Sequence, residues 1–301
     1  MSGGVSADEL RARLWAAREA PAESREPDEP GGPGVPDGAA ELAARERILV
    51  PFRLFAARDP RVLEGLEPER DWTVPELIEL LAKECGLPAW VGTNDAAEWG
   101  RCAIDPERTI SGLDALAERL RLAVERRSPV LFGTGRPGQL LSFYAPLASA
   151  LAAAGCPVLT PAAGARVVLR TRFGASPRRL RYVNGVALVH EPGARSLVDA
   201  PGAPGVRTRS PLPLRMALSE ASAAGGPLPE LVVGDHGWVC GAGQLGIEAV
   251  GAADARDPAP FVGRVEGKVA AVVPLEAGVR LDSCRPLASY VLNRAFCPGK
   301  G

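Results

Sequence analysis

The sequence contains very little lysine and histidine, no paired-cysteine motif and no long apolar run. Only three of its 301 residues are lysine, and only two are histidine, His190 and His236. Its cysteines form no C-x-x-C pair and no zinc-binding spacing, which argues against a zinc-stapled domain. No segment stays apolar over the roughly 20 residues that a membrane span needs, and no signal peptide is recognisable. We therefore expect a reduced, cytoplasmic protein.

The charge of the chain is nearly balanced overall but unevenly distributed. A net charge of −1 argues against a general nucleic-acid or membrane-surface protein, because both classes carry a basic excess. Between Glu125 and Glu191, however, there is no acidic residue. Arginines on the wet face of strands are ordinary, and only Phe173 and Tyr182 lie near them for stacking bases, so RNA is not expected. The arginines of this acid-free stretch are at positions 126, 127, 136, 166, 170, 172, 178, 179 and 181.

The chain is predicted to consist of an N-terminal extension, residues 1–39, and one α/β domain, residues 40–301. A capping-box pattern at Ser6–Glu9 begins a helix in the extension, and residues 21–39 are rich in proline and glycine, as in a flexible linker. The domain is predicted to contain a mixed, mainly parallel sheet flanked by helices. Its parts are a helical portion, 40–127, which contains little that indicates chemistry, and a sheet-containing portion, 128–301.

The hydrophobic pattern changes at residue 128, where a strand–helix–strand unit is predicted. Ser128–Phe132 and Pro157–Thr160 are predicted strands, and Gln139–Ala154 between them is a predicted helix, which implies parallel strands. Asn184-Gly185 predicts a tight hairpin between two antiparallel strands further on. In the helical portion, a helix is predicted to begin after Ser111.

A glycine-rich loop follows the first predicted strand. Gly133, Gly135 and Gly138 match the spacing G-x-G-x-x-G, and a loop of this kind offers free N–H groups at a helix N-terminus. A dinucleotide site needs an acidic residue after the second strand, but that strand ends at Thr160-Pro161. The pattern therefore favours a small phosphate or acid group over a dinucleotide, and a plain tight turn is the alternative.

A second group of polar residues follows two later strands. Asp235 and His236 come directly after a buried strand, and Asp254 and Asp257 follow the next one. Ligands bind at this edge of open α/β sheets. The three carboxylates suit Mg²⁺ or Mn²⁺, and His236 could act as general acid or base. Alternatively, the aspartates only cap a turn and begin a loop. Cys240, close by, is either a nucleophile or, as most lone cysteines are, buried and inert.

Five strings of residues resemble an actinobacterial phosphatase family. The resemblance covers roughly residues 45–296 and implies an α/β phosphatase, with the glycine loop and the Asp-His-Gly-Trp string as its most specific parts. The strings are Ile104-Asp-Pro-Glu-Arg-Thr109, Phe132-Gly-Thr-Gly-Arg-Pro137, Asp235-His-Gly-Trp238, Asp254-Ala-Arg-Asp-Pro258 and Val273-Pro-Leu-Glu-Ala-Gly-Val279.

Several polar positions depart from that family pattern, and most of them carry arginine here. The pattern has His at Arg136, His-Thr-His-Ser at residues 207–210, Asn at Arg256, and paired acids at Glu276 and Ala277. Arginine stays protonated, so it neither ligates a cation nor acts as a base near neutral pH. It does clamp phosphate or carboxylate groups. The departures weigh against ordinary metal-dependent hydrolysis and leave anion recognition intact.

These observations predict a phosphatase-like enzyme that acts on a small phosphorylated or otherwise anionic metabolite. The alternatives are a non-hydrolytic relative (a lyase, cyclase or transferase of secondary metabolism) and a pseudoenzyme that binds an acidic ligand without turnover. A homodimer is the expected assembly. The predicted catalytic residues are His236, Asp235 and Arg136; the predicted substrate-binding residues are Gly133, Thr134, Gly135, Gly138, Arg207, Arg209, Ser210 and Arg256; and the predicted metal ligands are Asp235, Asp254 and Asp257.

Overall fold

The computed structural model describes residues 5–19, 49–87, 104–171, 174–191, 205–276 and 281–296. Over these residues the chain forms the predicted α/β fold, with helices on a sheet of seven strands. The linker predicted at 21–39 lies outside them. The helices are α1 (Ala7–Glu19), α2 (Pro60–Leu63), α3 (Val74–Cys85), α4 (Pro106–Arg126), α5 (Pro137–Ala153), α6 (Leu212–Ala223), α7 (Gly237–Gln244), α8 (Pro258–Val265) and α9 (Leu281–Phe296), and residues 49–56 are also helical.

The sheet is mixed and mainly parallel, as predicted. The strands are β1 (Val130–Gly133), β2 (Arg166–Thr171), β3 (Gly174–Val183), β4 (Val186–His190), β5 (Leu231–Asp235), β6 (Glu248–Ala253) and β7 (Ala271–Pro274). Their order is β2-β3-β4-β1-β5-β6-β7. Strands β4, β1, β5, β6 and β7 are parallel to one another, whereas β3 pairs antiparallel with both β2 and β4. Asn184 and Gly185 both have positive φ, 48° and 81°, in the turn that joins β3 to β4, so the hairpin prediction is confirmed.

Two element predictions need correction. The strand predicted at Pro157–Thr160 is reduced to a single parallel bridge between Val130 and Val158. Prolines at 157 and 161 bracket this segment and have no N–H to donate, so the ladder does not extend. The helix predicted to begin after Ser111 begins at Pro106 instead. The side chain of Asp105 accepts from the N–H of Glu107, and a proline at the first helical position is already in helical geometry.

Two hydrophobic cores cover the two faces of the sheet. Along β1, Val130 and Phe132 belong to the core beneath α1, α4, α5 and α9, whereas Leu131 belongs to the core beneath α3, α6, α7 and α8. This alternation follows from the two-residue repeat of a strand, and both faces are covered as in other parallel sheets. Within the described residues, none of the helices is long and apolar enough to cross a bilayer.

The carboxyl ends of β1, β5 and β6 meet at one edge of the sheet. Gly133 pairs with Gly234, and Gly234 pairs with Gly251. A Cβ atom on Gly251 would lie 1.6 Å from the carbonyl oxygen of Gly234, so the close pairing of these strands requires glycine. The loops that follow the three strands are therefore brought side by side, and they carry the polar residues that the sequence singled out.

Tyr144 stabilises this edge from helix α5. Its hydroxyl donates to the carbonyl oxygen of Gly234 (2.5 Å) and accepts from the N–H of Ala252 (3.1 Å), both in buried surroundings. Replacing Tyr144 by Phe should lower the free energy of unfolding by about 1–3 kcal/mol, because two buried backbone groups lose a partner. Urea unfolding measures this loss. Tyr290→Phe is the control: its hydroxyl bonds the half-exposed Asp114, so we expect a loss below about 1 kcal/mol.

Candidate functional site

Asp235, at the end of β5, holds the glycine-rich loop in place. One carboxylate oxygen accepts from the N–H of Gly135 (2.5 Å), and the other accepts from the hydroxyl of Thr134 (2.9 Å). The N–H of Arg136 donates to the same hydroxyl oxygen, and the N–H of Thr134 donates to Ala187. Three backbone donors of the loop thus have acceptors within the protein. That this loop cradles an anion stays a prediction.

The three glycines of the loop lie in different surroundings. A Cβ on Gly133 would lie 2.2 Å from the indole ring of Trp238, and one on Gly135 would lie 2.1 Å from the carbonyl oxygen of Thr208. Gly138, by contrast, is exposed and faces open space. The first two glycines therefore allow Trp238 of helix α7 and the segment at Thr208 to pack closely against this loop. The third does not provide the close helix–strand packing that it provides in a dinucleotide fingerprint.

His236 occupies a strained turn between β5 and α7. Its backbone has φ 47° and ψ −130°, a conformation that residues other than glycine rarely adopt. Gly237 follows it, and a Cβ there would lie 2.5 Å from the carbonyl oxygen of Ser210. Strain of this kind persists only where the surrounding structure enforces it, and it is frequent at active sites. The turn places the imidazole of His236 at the carboxyl edge of the sheet.

Glu64 orients the imidazole of His236. The two side chains are fully buried, and Oε1 of Glu64 lies 2.8 Å from Nδ1 of His236. Both oxygens of Glu64 have further partners: Oε1 forms an ion pair with Arg209, and Oε2 accepts from the thiol of Cys240. Glu64 is therefore an acceptor, so Nδ1 carries a hydrogen and the lone pair of the neutral ring lies on Nε2. Nε2 is buried and has no hydrogen-bond partner.

Arg209 bridges Glu64 to a second buried carboxylate, that of Asp257. Its Nη1 lies 3.3 Å from Oε1 of Glu64, and its Nη2 donates to Oδ1 of Asp257. Burial works to raise the pKa of Asp257, but the positive charges of His236 in its protonated form, of Arg209 and of Arg136 outweigh it and lower that pKa to about 2. The carboxylate of Asp257 is thus ionised at neutral pH.

Arg136, at the start of α5, is a buried cation with free donors. Its side chain is 3% exposed, and its Nε lies 3.8 Å from Oδ2 of Asp235. Burial works to lower its pKa, but the charges of Asp257, Asp235 and Asp254 raise it above the usual value. Neither Nε nor Nη2 has a hydrogen-bond acceptor. A buried guanidinium in this state provides a place for an additional acceptor, such as a phosphate oxygen.

The other predicted arginines line an opening above these buried groups. A cavity of about 160 Å³ is bounded by Arg207, Arg209 and Arg256 together with Pro51, Asp254 and Asp257. Arg256 is paired with Asp254, with 3.1 Å between Nε and Oδ1. Ser210 does not line this cavity: its hydroxyl accepts from the N–H of Leu212 at the start of α6. Three of the eight predicted substrate-binding residues, the arginines at 207, 209 and 256, therefore meet at one opening.

Among the described residues, one group of three has the spacing of a metal site. Ligand atoms of Glu64, His236 and Asp257 lie within 4.8 Å of one another, so by distance this group could hold a metal ion. The sequence had predicted Asp235, Asp254 and Asp257, of which only Asp257 belongs to the group. The donor atoms are engaged, however, because Nδ1 of His236 carries a hydrogen and Arg209 contacts both carboxylates. As arranged, these residues do not fit a divalent ion.

Glu64 is a site residue that the sequence did not predict. Little chemistry was expected of the helical portion, yet this portion supplies Glu64, which lies 172 positions before His236 and contacts it directly. Glu64 ends the short helix α2 with a positive φ of 56°, and no motif surrounds it.

Of the two roles considered for Cys240, a nucleophile or a buried and inert side chain, the structure favours the second, since Cys240 is fully buried. Burial and the neighbouring charge of Glu64 raise the pKa of its thiol well above the usual value, so it stays protonated.

Comparison with known proteins gives two matches and one negative result. A family model described as Phosphatase matches residues 38–298. A protein of Streptomyces coelicolor that carries the name phosphatase is 36% identical over 255 residues, which cover 83% of this chain and 88% of that protein. No solved structure matches the chain.

Proposed function

Since this chain belongs to the phosphatase family, whose model matches residues 38–298, we propose that it hydrolyses a small phosphorylated metabolite. In this proposal His236 is the general base. Arg136 and Arg209 bind the phosphate, and Arg207 and Arg256 attract the anion to the opening above them. The predicted substrate is a phosphomonoester, and the predicted location is the cytoplasm.

One observation carries the proposal: the Glu64–His236 pair leaves Nε2 of the imidazole buried and unpartnered, and Arg136, whose charge like that of His236 acts on Asp257, has buried donors without acceptors. A carboxylate that fixes the tautomer of a histidine is the usual companion of a catalytic base. Arg136 adds two nitrogens, Nε and Nη2, that have no hydrogen-bond acceptor. Buried donors aimed at developing charge are often the largest contribution to catalysis. A phosphate bound here would supply the acceptor that Arg136 lacks, and the attacking water would donate a hydrogen bond to Nε2 of His236.

The proposed reaction needs only water as its second reactant. Nε2 of His236 takes a proton from a water molecule while the water oxygen forms a bond to phosphorus. The bond between phosphorus and the ester oxygen breaks, the ester oxygen takes up a proton from solvent, and His236 releases the proton that it accepted to solvent, so that an alcohol and inorganic phosphate are formed. The guanidinium groups of Arg136 and Arg209 offset the negative charge on the phosphoryl oxygens.

The test is phosphate release by the purified protein. After treatment with EDTA, the protein is incubated with p-nitrophenyl phosphate, sugar phosphates, phosphorylated hydroxy acids and nucleoside monophosphates, and inorganic phosphate is measured. Parallel arms contain Mg²⁺ or Mn²⁺, the ions that the sequence predicted. Release from at least one ester, lost on replacing His236, supports the proposal. Absence of release across the panel in every arm contradicts it.

A second function, binding without turnover, is favoured by the arginines themselves. Arg136 and Arg209 stand where the resembled family has histidine, and Arg209 is engaged with two buried carboxylates. A binding protein of this kind would show a thermal shift with inorganic phosphate or a phosphomonoester but release no phosphate. A lyase, cyclase or transferase would consume the ester without free phosphate appearing. The absence of nucleic-acid and membrane partners and the homodimer stay predictions.

A further inference from the structure

The two deeply buried carboxylates of the site have a cation of their own. Glu64 and Asp257 are 0% and 1% exposed, and carboxylates buried to this degree need a positive partner. Arg209 supplies it to both at once through the two ends of its guanidinium. Two carboxylates around one central cation are also the arrangement in which a protein holds a divalent metal.

Every carboxylate oxygen of this pair already faces a hydrogen donor. Oε1 of Glu64 faces His236 and Arg209, and Oε2 faces the thiol of Cys240. Oδ1 of Asp257 accepts from Arg209, and Oδ2 lies 3.4 Å from the N–H of Asp254. A metal ion at this position would have to displace the guanidinium and remove the hydrogen from Nδ1 of His236. It would also meet the positive charge of the guanidinium unless Arg209 moved away.

We infer that Arg209, held between Glu64 and Asp257, takes the place of a divalent metal ion, so that the site excludes Mg²⁺ and Mn²⁺. Arg209 is 27% exposed, whereas its two partners are buried, so the guanidinium closes the site from the solvent side. The inference concerns the site of the proposed function, but it does not depend on turnover. Its test measures metal binding and stability, so it can fail while phosphate release is observed, and the reverse also holds.

The test compares Mn²⁺ binding by the wild type and by Arg209→Gln. Each protein is treated with EDTA, dialysed and titrated with MnCl₂ by calorimetry, with free Mn²⁺ followed by electron paramagnetic resonance. We expect no stoichiometric binding by the wild type. Arg209→Gln should gain one site, with an affinity at least roughly tenfold above any residual binding by the wild type, because its amide is neutral and vacates part of the guanidinium volume. Arg209→Lys keeps the positive charge and should remain without a site.

The control is Arg121→Gln, which removes an arginine that also contacts two carboxylates, those of Glu118 and Glu125, but on the exposed surface of α4. It should bind Mn²⁺ no better than the wild type.

Thermal unfolding gives a second readout for Arg209→Gln. This variant should melt at a lower temperature than the wild type in EDTA, because two buried carboxylates lose their counter-charge, and MnCl₂ should restore part of the loss. The wild type should show no such shift. Equal, stoichiometric Mn²⁺ binding by the wild type and Arg209→Gln would overturn the inference. So would an Arg209→Gln protein that fails to fold both with and without Mn²⁺, because a metal ion could not then replace the guanidinium.

Discussion

Replacing His236 by asparagine is expected to lower kcat for phosphomonoester hydrolysis by about 10²- to 10⁴-fold, the usual contribution of a general base. Asparagine is chosen because its side-chain amide can still donate to Glu64 from the position of Nδ1, while nothing replaces Nε2. It also tolerates a positive φ better than most residues, which matters at a backbone φ of 47°. The loss should therefore be one of turnover, with the melting temperature close to that of the wild type.

Glutamine at position 236 is the matched control. Its longer side chain places the amide nitrogen near the position that Nε2 of His236 occupies in the wild type, and the hydrogen bond to Glu64 is lost. We expect it to lose activity and stability together. Activity of the asparagine variant within about threefold of the wild type, with the fold intact, would remove His236 from the mechanism. Steady-state kinetics on the best ester of the panel, with thermal unfolding in parallel, separates these results.

The position of His236 could be predicted, whereas that of its partner could not. Asp235, His236 and Asp257 follow consecutive parallel strands, and the carboxyl ends of such strands meet at one edge of a sheet, so their proximity follows from the strand pattern. Glu64 reaches the same edge from helix α2, through the packing of the helical portion on the sheet. Tertiary packing of this kind leaves no local pattern in a single sequence.

The fold, too, could be predicted where it depends on local patterns and could not be predicted where it depends on long-range contacts. Alternating apolar residues and the Asn184-Gly185 turn are local, and they correctly predicted the mixed sheet and its hairpin. The strand predicted at Pro157–Thr160 depended on a ladder that its flanking prolines prevent. For the glycine loop, spacing alone did not distinguish Gly133 and Gly135, which closely packed neighbours require, from the exposed Gly138. The neighbours, Trp238 and Thr208, come from distant parts of the chain.

That distinction gives the second large effect, Gly135→Ala compared with Gly138→Ala. A methyl group on Gly135 would lie 2.1 Å from the carbonyl oxygen of Thr208, and backbone cannot rotate away as a side chain can. We expect a loss of about 3 kcal/mol in the free energy of unfolding, the upper end of the usual cost of overpacking. Activity should fall as well, since the N–H of Thr208 donates to Gly135 and the same segment carries Arg209.

Gly138→Ala, three residues along the same motif, should instead raise the free energy of unfolding by about 0.4–1 kcal/mol. Gly138 lies in the first turn of α5 with open space around it, and alanine reduces the freedom of the unfolded chain there. Urea unfolding of the two variants and the wild type measures both effects, and phosphate release follows the activity. A glycine loop that bound an anion through its whole G-x-G-x-x-G spacing would require all three glycines, so both variants would then lose activity. The packing of Gly135 against Thr208 instead predicts changes of opposite sign in the free energy of unfolding, a loss for Gly135→Ala and a gain for Gly138→Ala. Losses of similar size in both variants would contradict it.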